Sequence, residues 1–292
     1  MARILDLLGH PHTVSIELWP PRTETAAAHL ERALVELGRL RPAFTSITYG
    51  AGGSTRERTH ELVVRLQEEG KTTPMAHLVC AAHSREELRL ILERYRAHGV
   101  ENVLALRGDP PLDSADELPR GELSYAVELV RLAKEVGDFC VAVAAHPQGH
   151  PDSLDKKQDL DFLAAKLELA DFAITQFLFS VDDYRRLRDG LAERHCTKLV
   201  LPGVMPITNP RTVARMAEMA GAPVPDSVAA RIAGAGDDPA EVRKIGVEIA
   251  TELCEALVAD GAPGLHFYTM NQSAATIEVC ANLGLPAYGQ AP

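Results

Sequence analysis

The segment PMAHLVCAAHSREELRLILERYRAHGVENVLAL, residues 74–106, decides the fold. It opens on a short apolar run, PMAHLV (74–79), and closes on another, NVLAL (102–106). Runs of that length, bounded by polar or turn residues, read as buried strands. Between them REELRLILERYRAHG puts its apolar residues at spacings of three and four, the mark of one buried helix face. Ser84 followed by Glu87 makes a capping box that starts this helix, and Gly99 stands where it should end. The segment is strand, helix, strand.

The same alternation runs in both directions from it. Apolar runs recur at TVSIEL (13–18), AFTSIT (43–48), FCVAVA (139–144), FAITQF (172–177), KLVLP (198–202) and GLHFYT (264–269). Helix-period segments lie between them, among them AAHLERALVELGRL, ERTHELVVRLQEEG, SYAVELVRLAKEVG, DLDFLAAKLELA and DYRRLRDGLAERH, with Gly70 and Gly137 as further stop signals. Continuous apolar strands separated by helices argue for a parallel sheet covered by helices on its outside. Eight such units predict an α/β fold, a single (β/α)8 TIM barrel over residues 1–292, with an open doubly wound sheet as the alternative. The stretch 222–262, broken at Pro225 and at Asp237-Asp238-Pro239, predicts extra helices between strands seven and eight.

Composition narrows the function. The 292 residues are 46% hydrophobic and 24% charged with a net charge of −11, and no dense Lys/Arg cluster offsets it, which argues against nucleic acid or an anionic membrane as partner. The five cysteines are scattered with no Cys-x-x-Cys, so neither a zinc knuckle nor a disulfide framework is expected, and a reduced, cytoplasmic setting is. No run approaches the roughly 18 apolar residues of a membrane helix. A small molecule is the expected partner.

In a barrel the C-terminal strand ends form the active face, so polar residues there come first. Glu17 lies in TVSIELWPPRT among apolar neighbours; there it is either a partly desolvated general acid or a structural carboxylate paired with Arg22. In ITYGAGGSTRERT, Gly50, Gly52 and Gly53 either admit a ligand to the backbone or form a tight turn. ALRGDPP puts Arg107, Gly108 and Asp109 at the mouth, where Asp109 can bind an amino-heterocycle or a cation, or simply pair with Arg107. In AAHPQGHP, His146 and His150 lack helical context and a third ligand, so no metal is expected and a polar ligand wall is. Gln176 in ITQFLF is either a heterocycle contact or a core amide bonded to backbone.

Taken in order, IELWPPRT, TYGAGGSTRERT, AHLVC, ALRGDPP, AAHPQGHP, AITQFLF, LPGVMPI and HFYTMN resemble the methylenetetrahydrofolate reductase family from about residue 13 to 285. The resemblance implies a barrel that reduces 5,10-methylenetetrahydrofolate to 5-methyltetrahydrofolate with NADH or NADPH, within the one-carbon metabolism that supplies methionine biosynthesis. It implies Glu17 as the acid that protonates N10 and opens the ring to an N5 iminium. Asp109 is then the group that holds the pterin and steadies the cation, with Gln176, Tyr49 and Gln272 on the substrate side. The family's cofactor contacts fall on Thr48, His77, Arg107, Gly108, Asp109, Tyr125, Ala126, His146, His150, Asp159 and Lys166.

Several positions depart from the flavin-bearing pattern. His146 stands for a stacking tyrosine, Phe162 for asparagine and Ala165 for arginine, while Pro210 and Gln272 replace a substrate-contacting phenylalanine and arginine. These losses predict weak or absent FAD and direct hydride transfer from NADH or NADPH, the nicotinamide taking the flavin ring's place. The same reaction through bound FAD is the alternative, and a folate-binding barrel without turnover is another. A methyl-transferring barrel would work without nicotinamide.

Overall fold

A computed structural model describes residues 2–9, 13–50, 56–108, 121–236 and 238–285. Its strands are β1 (Val14–Leu18), β2 (Phe44–Ile47), β3 (Pro74–Val79), β4 (Asn102–Leu106), β5 (Cys140–Ala145), β6 (Phe172–Phe177), β7 (Val200–Val204) and β8 (Leu265–Tyr268). They close in sequence order into a parallel barrel, with β8 returning to β1 through the pairs Val14↔Leu265 and Glu17↔Tyr268. The (β/α)8 expectation holds.

The outer layer is α1 (Glu24–Leu37), α2 (Arg56–Glu69), α3 (Arg85–Ala97), α4 (Ala126–Val136), α5 (Lys156–Leu169) and α6 (Val181–Ala192), followed by α7 (Pro210–Met219), α8 (Asp226–Ala233), α9 (Pro239–Ala259) and α10 (Ala274–Asn282). Three of these, α7 to α9, lie between β7 and β8, as the breaks at Pro225 and Pro239 predicted. In α3 the Ser84 hydroxyl accepts from Glu87 N and the Glu87 side chain accepts from Ser84 N, the reciprocal cap read in the sequence. Helix α1 begins three residues before AAHLERALVELGRL because Thr23, not the alanine run, caps it, accepting from Ala26 N.

Strand β7 runs two residues later than the apolar run KLVLP suggested. It passes through Pro202 and Gly203, and its pairing with β6 shifts register between Ile174 and Phe177. That irregularity absorbs the missing proline N–H, which a regular ladder would not tolerate. No described helix is long and apolar enough to cross a membrane.

The inside of the barrel is filled unevenly, and this places the site. At its N-terminal end Phe44, Met75, Leu104, Cys140, Phe172 and Leu201 pack into a dry floor, closed from below by Ile4 and Leu8. The turn carrying Ile4 is held by buried Asn102, whose Oδ1 accepts from Ile4 N at 2.8 Å and whose Nδ2 donates to Ala2 O at 3.2 Å. Above the floor the inward positions turn polar or small, and a cavity opens toward the C-terminal strand ends. Replacing Asn102 with Ala strands the Ile4 N–H in an apolar setting, so urea unfolding should show a loss of about 1–3 kcal/mol in stability. The denaturant slope should not change.

Candidate active site

The cavity has a volume of about 1060 Å³ and is lined by Glu17, Tyr49, His77, Arg107, Lys166, Gln176 and Tyr268, among others. Glu17 reaches it because every residue of β1 is buried and alternate side chains point into the barrel. Its carboxyl group has two unlike neighbours. Trp19 Nε1 lies 3.4 Å from Oε1 as a donor, and His77 Nε2 lies 3.6 Å from Oε2. The ionisable side chain nearest the carboxyl oxygens is thus His77. Burial pushes the Glu17 carboxyl up to about 8, opposed in part by the indole N–H, and pushes His77 down to about 3.

The loop after β1 is fixed by the end of β8. Asn271 brackets Trp19, its Oδ1 accepting from Trp19 N at 2.8 Å and its Nδ2 donating to Trp19 O at 2.9 Å. Asn271 holds a left-handed backbone, φ 59°, which asparagine tolerates better than most residues. Thr269 Oγ1 donates to Glu17 O at 2.7 Å, a second tie between the same strands. Indole and acid are therefore placed together.

Beneath Glu17, His266 forms part of the floor of the site. Its Nδ1 is 2.8 Å from Ser15 Oγ, Phe44 stacks on its ring at 5.6 Å, and burial pushes it down to about 3. Tyr268 stands edge-on to it and donates its hydroxyl to Thr175 O at 2.7 Å. The ring of Tyr268 lies over Gly203, where a Cβ would come within 2.4 Å of Cε2. A glycine is required there for Tyr268 to line the cavity.

At the mouth Arg107 Nη1 pairs with Asp152 Oδ2 at 2.7 Å, joining β4 to the loop before α5. Gly108 has φ 88°, and a Cβ on it would crowd Val79 and Ala81 at 3.0 and 3.1 Å. Lys166 Nζ donates to Ala144 O at 3.1 Å, and burial lowers the pKa of its amine. His146 and His150 meet edge to face at 4.6 Å, and burial pushes His146 down to about 3. Among the described residues no cluster of three metal-binding side chains exists.

The remaining residues singled out from sequence divide into three groups. Thr48, Tyr49, Ala126 and Gln176 line the cavity, although Tyr49 spends its hydroxyl on His83 Nε2 at 3.0 Å and Gln176 Oε1 accepts from Phe177 N at 3.0 Å. Tyr125, Asp159 and Gln272 are not on the cavity wall: Tyr125 is 66% exposed, Asp159 accepts from Ser153 Oγ, and Gln272 accepts from Thr208 Oγ1 beyond the end of β8. Asp109, Gly52 and Gly53 fall outside the described residues. Trp19, His266, Tyr268 and Asn271 were not singled out, though the inward alternation of His266 and Tyr268 in HFYTMN is the signal that could have found two of them.

Residues 3–284 match the profile of the family described as methylenetetrahydrofolate reductase. The chain belongs to that family. It is similar to the 5,10-methylenetetrahydrofolate reductases of Escherichia coli, 36% identical over 275 residues, and of Pectobacterium carotovorum, 35% identical over 273. Each match covers 93% of this chain and 90% of the relative. A Zea mays protein named methylenetetrahydrofolate reductase (NADH) 1 is 32% identical over 298 residues, spanning 97% of this chain and 50% of its own length. Among solved structures, an uncharacterized Clostridium thermocellum protein described as binding two copies of 5-methyl-5,6,7,8-tetrahydrofolic acid shares the fold at TM-score 0.65. It is 13% identical, with 97% of this chain and 96% of that one covered.

In this family member, Gly203→Ala should push the Tyr268 ring off its seat, since the nearest obstacles also include Thr175 O at 2.6 Å. We expect roughly tenfold or more loss of kcat/KM, the order of a misplaced active-site group, with a stability loss of about 1–3 kcal/mol. Steady-state kinetics and thermal unfolding of the variant check both.

Proposed function

We propose that the cavity reduces 5,10-methylenetetrahydrofolate to 5-methyltetrahydrofolate with NADH or NADPH giving its hydride directly to the substrate. The observation that carries this reading is Glu17, a carboxylic acid kept protonated near neutral pH by burial and facing a large cavity. The acid gives its proton to N10 and the bond from N10 to the bridging carbon breaks. That leaves an N5 iminium, to which the hydride adds. Glu17 regains a proton from solvent, so each turnover consumes one proton and one reduced nicotinamide. Asp109 is assigned to steadying the cationic iminium, and Gln176, with Oε1 already engaged by backbone, offers the substrate its amide N–H donors.

The residues at the mouth do not fit a firmly held flavin. His146 is turned edge-to-face against His150, and Phe162 and Ala165 are exposed with no polar group to offer. The cations there are engaged, Arg107 by Asp152 and Lys166 by Ala144 O. A resident cofactor needs fixed, charge-assisted contacts, whereas a nicotinamide that leaves at every turnover needs only modest affinity. These features support NADH or NADPH as a co-substrate used without a bound flavin.

The test is an anaerobic assay of the purified protein, with no flavin added, against methylenetetrahydrofolate and each nicotinamide in turn. Formation of 5-methyltetrahydrofolate matching nicotinamide oxidation, from protein without a flavin absorption band, is the expected result. A bound-flavin spectrum, or dependence on added FAD, overturns the direct transfer. A folate binder would show no turnover at all.

Because the acid form works and its pKa is about 8, kcat/KM should hold level below that value and fall about tenfold per pH unit above it. Glu17→Gln should lower kcat by roughly 10²–10⁴ while folate affinity survives, as read by rate assay and equilibrium binding. The same variant should be the more stable protein at neutral pH and above. Between the ordinary value of 4.5 and about 8 the folded chain keeps a proton that the unfolded chain releases, so the native acid costs stability as pH rises through that window. Thermal melts of both proteins across it should diverge with increasing pH.

A further inference from the structure

His77 sits 3.6 Å from the Glu17 carboxyl, yet its buried Nε2 has no hydrogen-bond partner. Buried polar atoms are rarely left this way without a reason in the chemistry of the site. Among the described residues, three groups face the pair. Trp19 presents its indole N–H to the other carboxyl oxygen, and Tyr268 approaches Glu17 from β8. His266, also from β8, is the titratable neighbour of His77.

We propose that His77 is a positioning residue whose neutral Nε2 accepts the acid proton of Glu17 from Oε2, and so fixes which carboxyl oxygen donates to the substrate. The proposal rests on Glu17 being the acid. The two oxygens are made inequivalent by their neighbours. An indole N–H needs an acceptor, and the better acceptor of a carboxylic acid is its carbonyl oxygen, so Oε1 is the carbonyl and Oε2 carries the hydrogen. The hydroxyl then points toward His77 Nε2, a buried nitrogen without a hydrogen-bond partner, and a shift of a few tenths of an ångström completes the bond.

An ion pair between the two is the competing arrangement, and the site opposes it. Burial favours the neutral form of both, so between about pH 3 and about 8 the pair is a neutral imidazole facing a neutral acid. His266 adds no positive charge, since burial also pushes it down to about 3. His77 is thus a poor proton store and a good acceptor. It holds the acid in one orientation until N10 of the substrate takes its place.

The experiment compares wild type with His77→Leu and His77→Gln. In folate-free protein, below the Glu17 titration, the carboxylic C=O stretch assigned by its loss in Glu17→Gln should move to higher frequency in His77→Leu and return toward wild type in His77→Gln, whose amide oxygen can accept. Turnover should fall about 10–100-fold in His77→Leu with KM for methylenetetrahydrofolate within about threefold, and His77→Gln should recover most of it. If His77→Leu does not fold, His77→Asn serves, its shorter amide being unable to reach Oε2. An unmoved C=O band, a loss confined to KM, or an ionised Glu17 in the wild type at about pH 6 overturns the proposal. Full turnover by Glu17→Gln would overturn the acid reading itself, whereas an unmoved band beside an inactive Glu17→Gln overturns only the pairing.

Discussion

Glu17 is held in the wall of the cavity with only 10% of its side chain exposed, and the described residues around it offer little that would compensate a negative charge. An indole N–H and a neutral imidazole are its nearest polar neighbours. Desolvation therefore outweighs hydrogen bonding, and the group stays an acid where an exposed glutamate would be an anion. The rest of the site is arranged around keeping that balance. The staples from Thr269 and Asn271 hold β1 and the Trp19 loop against β8, so the carboxyl cannot swing out to solvent.

The barrel supplies that setting through the graded size of its inward residues. Large rings and aliphatics, Phe44, Phe172 and Leu201 among them, fill the N-terminal half and leave no room for water. Higher up, Ala144 takes little space where the cavity opens, and Gly203 leaves room for the Tyr268 ring that lines it. One architecture thus provides both a dry floor that raises an acid's pKa and a chamber wide enough for a bulky substrate. The N-terminal turn closing the bottom contributes to the first and is remote from the second.

The mouth differs in character from the interior. Arg107 there is paired with Asp152, and Lys166 is engaged by Ala144 O. The polar concentration lies deeper, at the strand ends, where the chemistry is assigned.

Much of this was legible in the amino-acid order. Apolar runs and helix-period segments sufficed for eight strands and their helices, since burial on both strand faces erases alternation and leaves a continuous run, whereas closure over an open doubly wound sheet was decided by the pairing of β8 with β1. The motif at Glu17, with Arg107, His146 and Gln176, could be placed at strand ends for the same reason, and these residues do meet around one cavity. Sequence spacing could not say that His77, sixty residues from Glu17, would face its carboxyl, nor that Asn271 would bracket Trp19 across 252 residues, nor that Gln272 would turn to Thr208 and away from the cavity. Those contacts depend on how β1, β3, β7 and β8 come together in the closed barrel and on side-chain directions at strand tips, which long-range packing sets. The sequence by itself determined the order of strands and helices and put Glu17, Arg107, His146 and Gln176 at strand ends; the tertiary structure alone decided which other residues join them at the cavity and which of them touch, and therefore where a proton can rest.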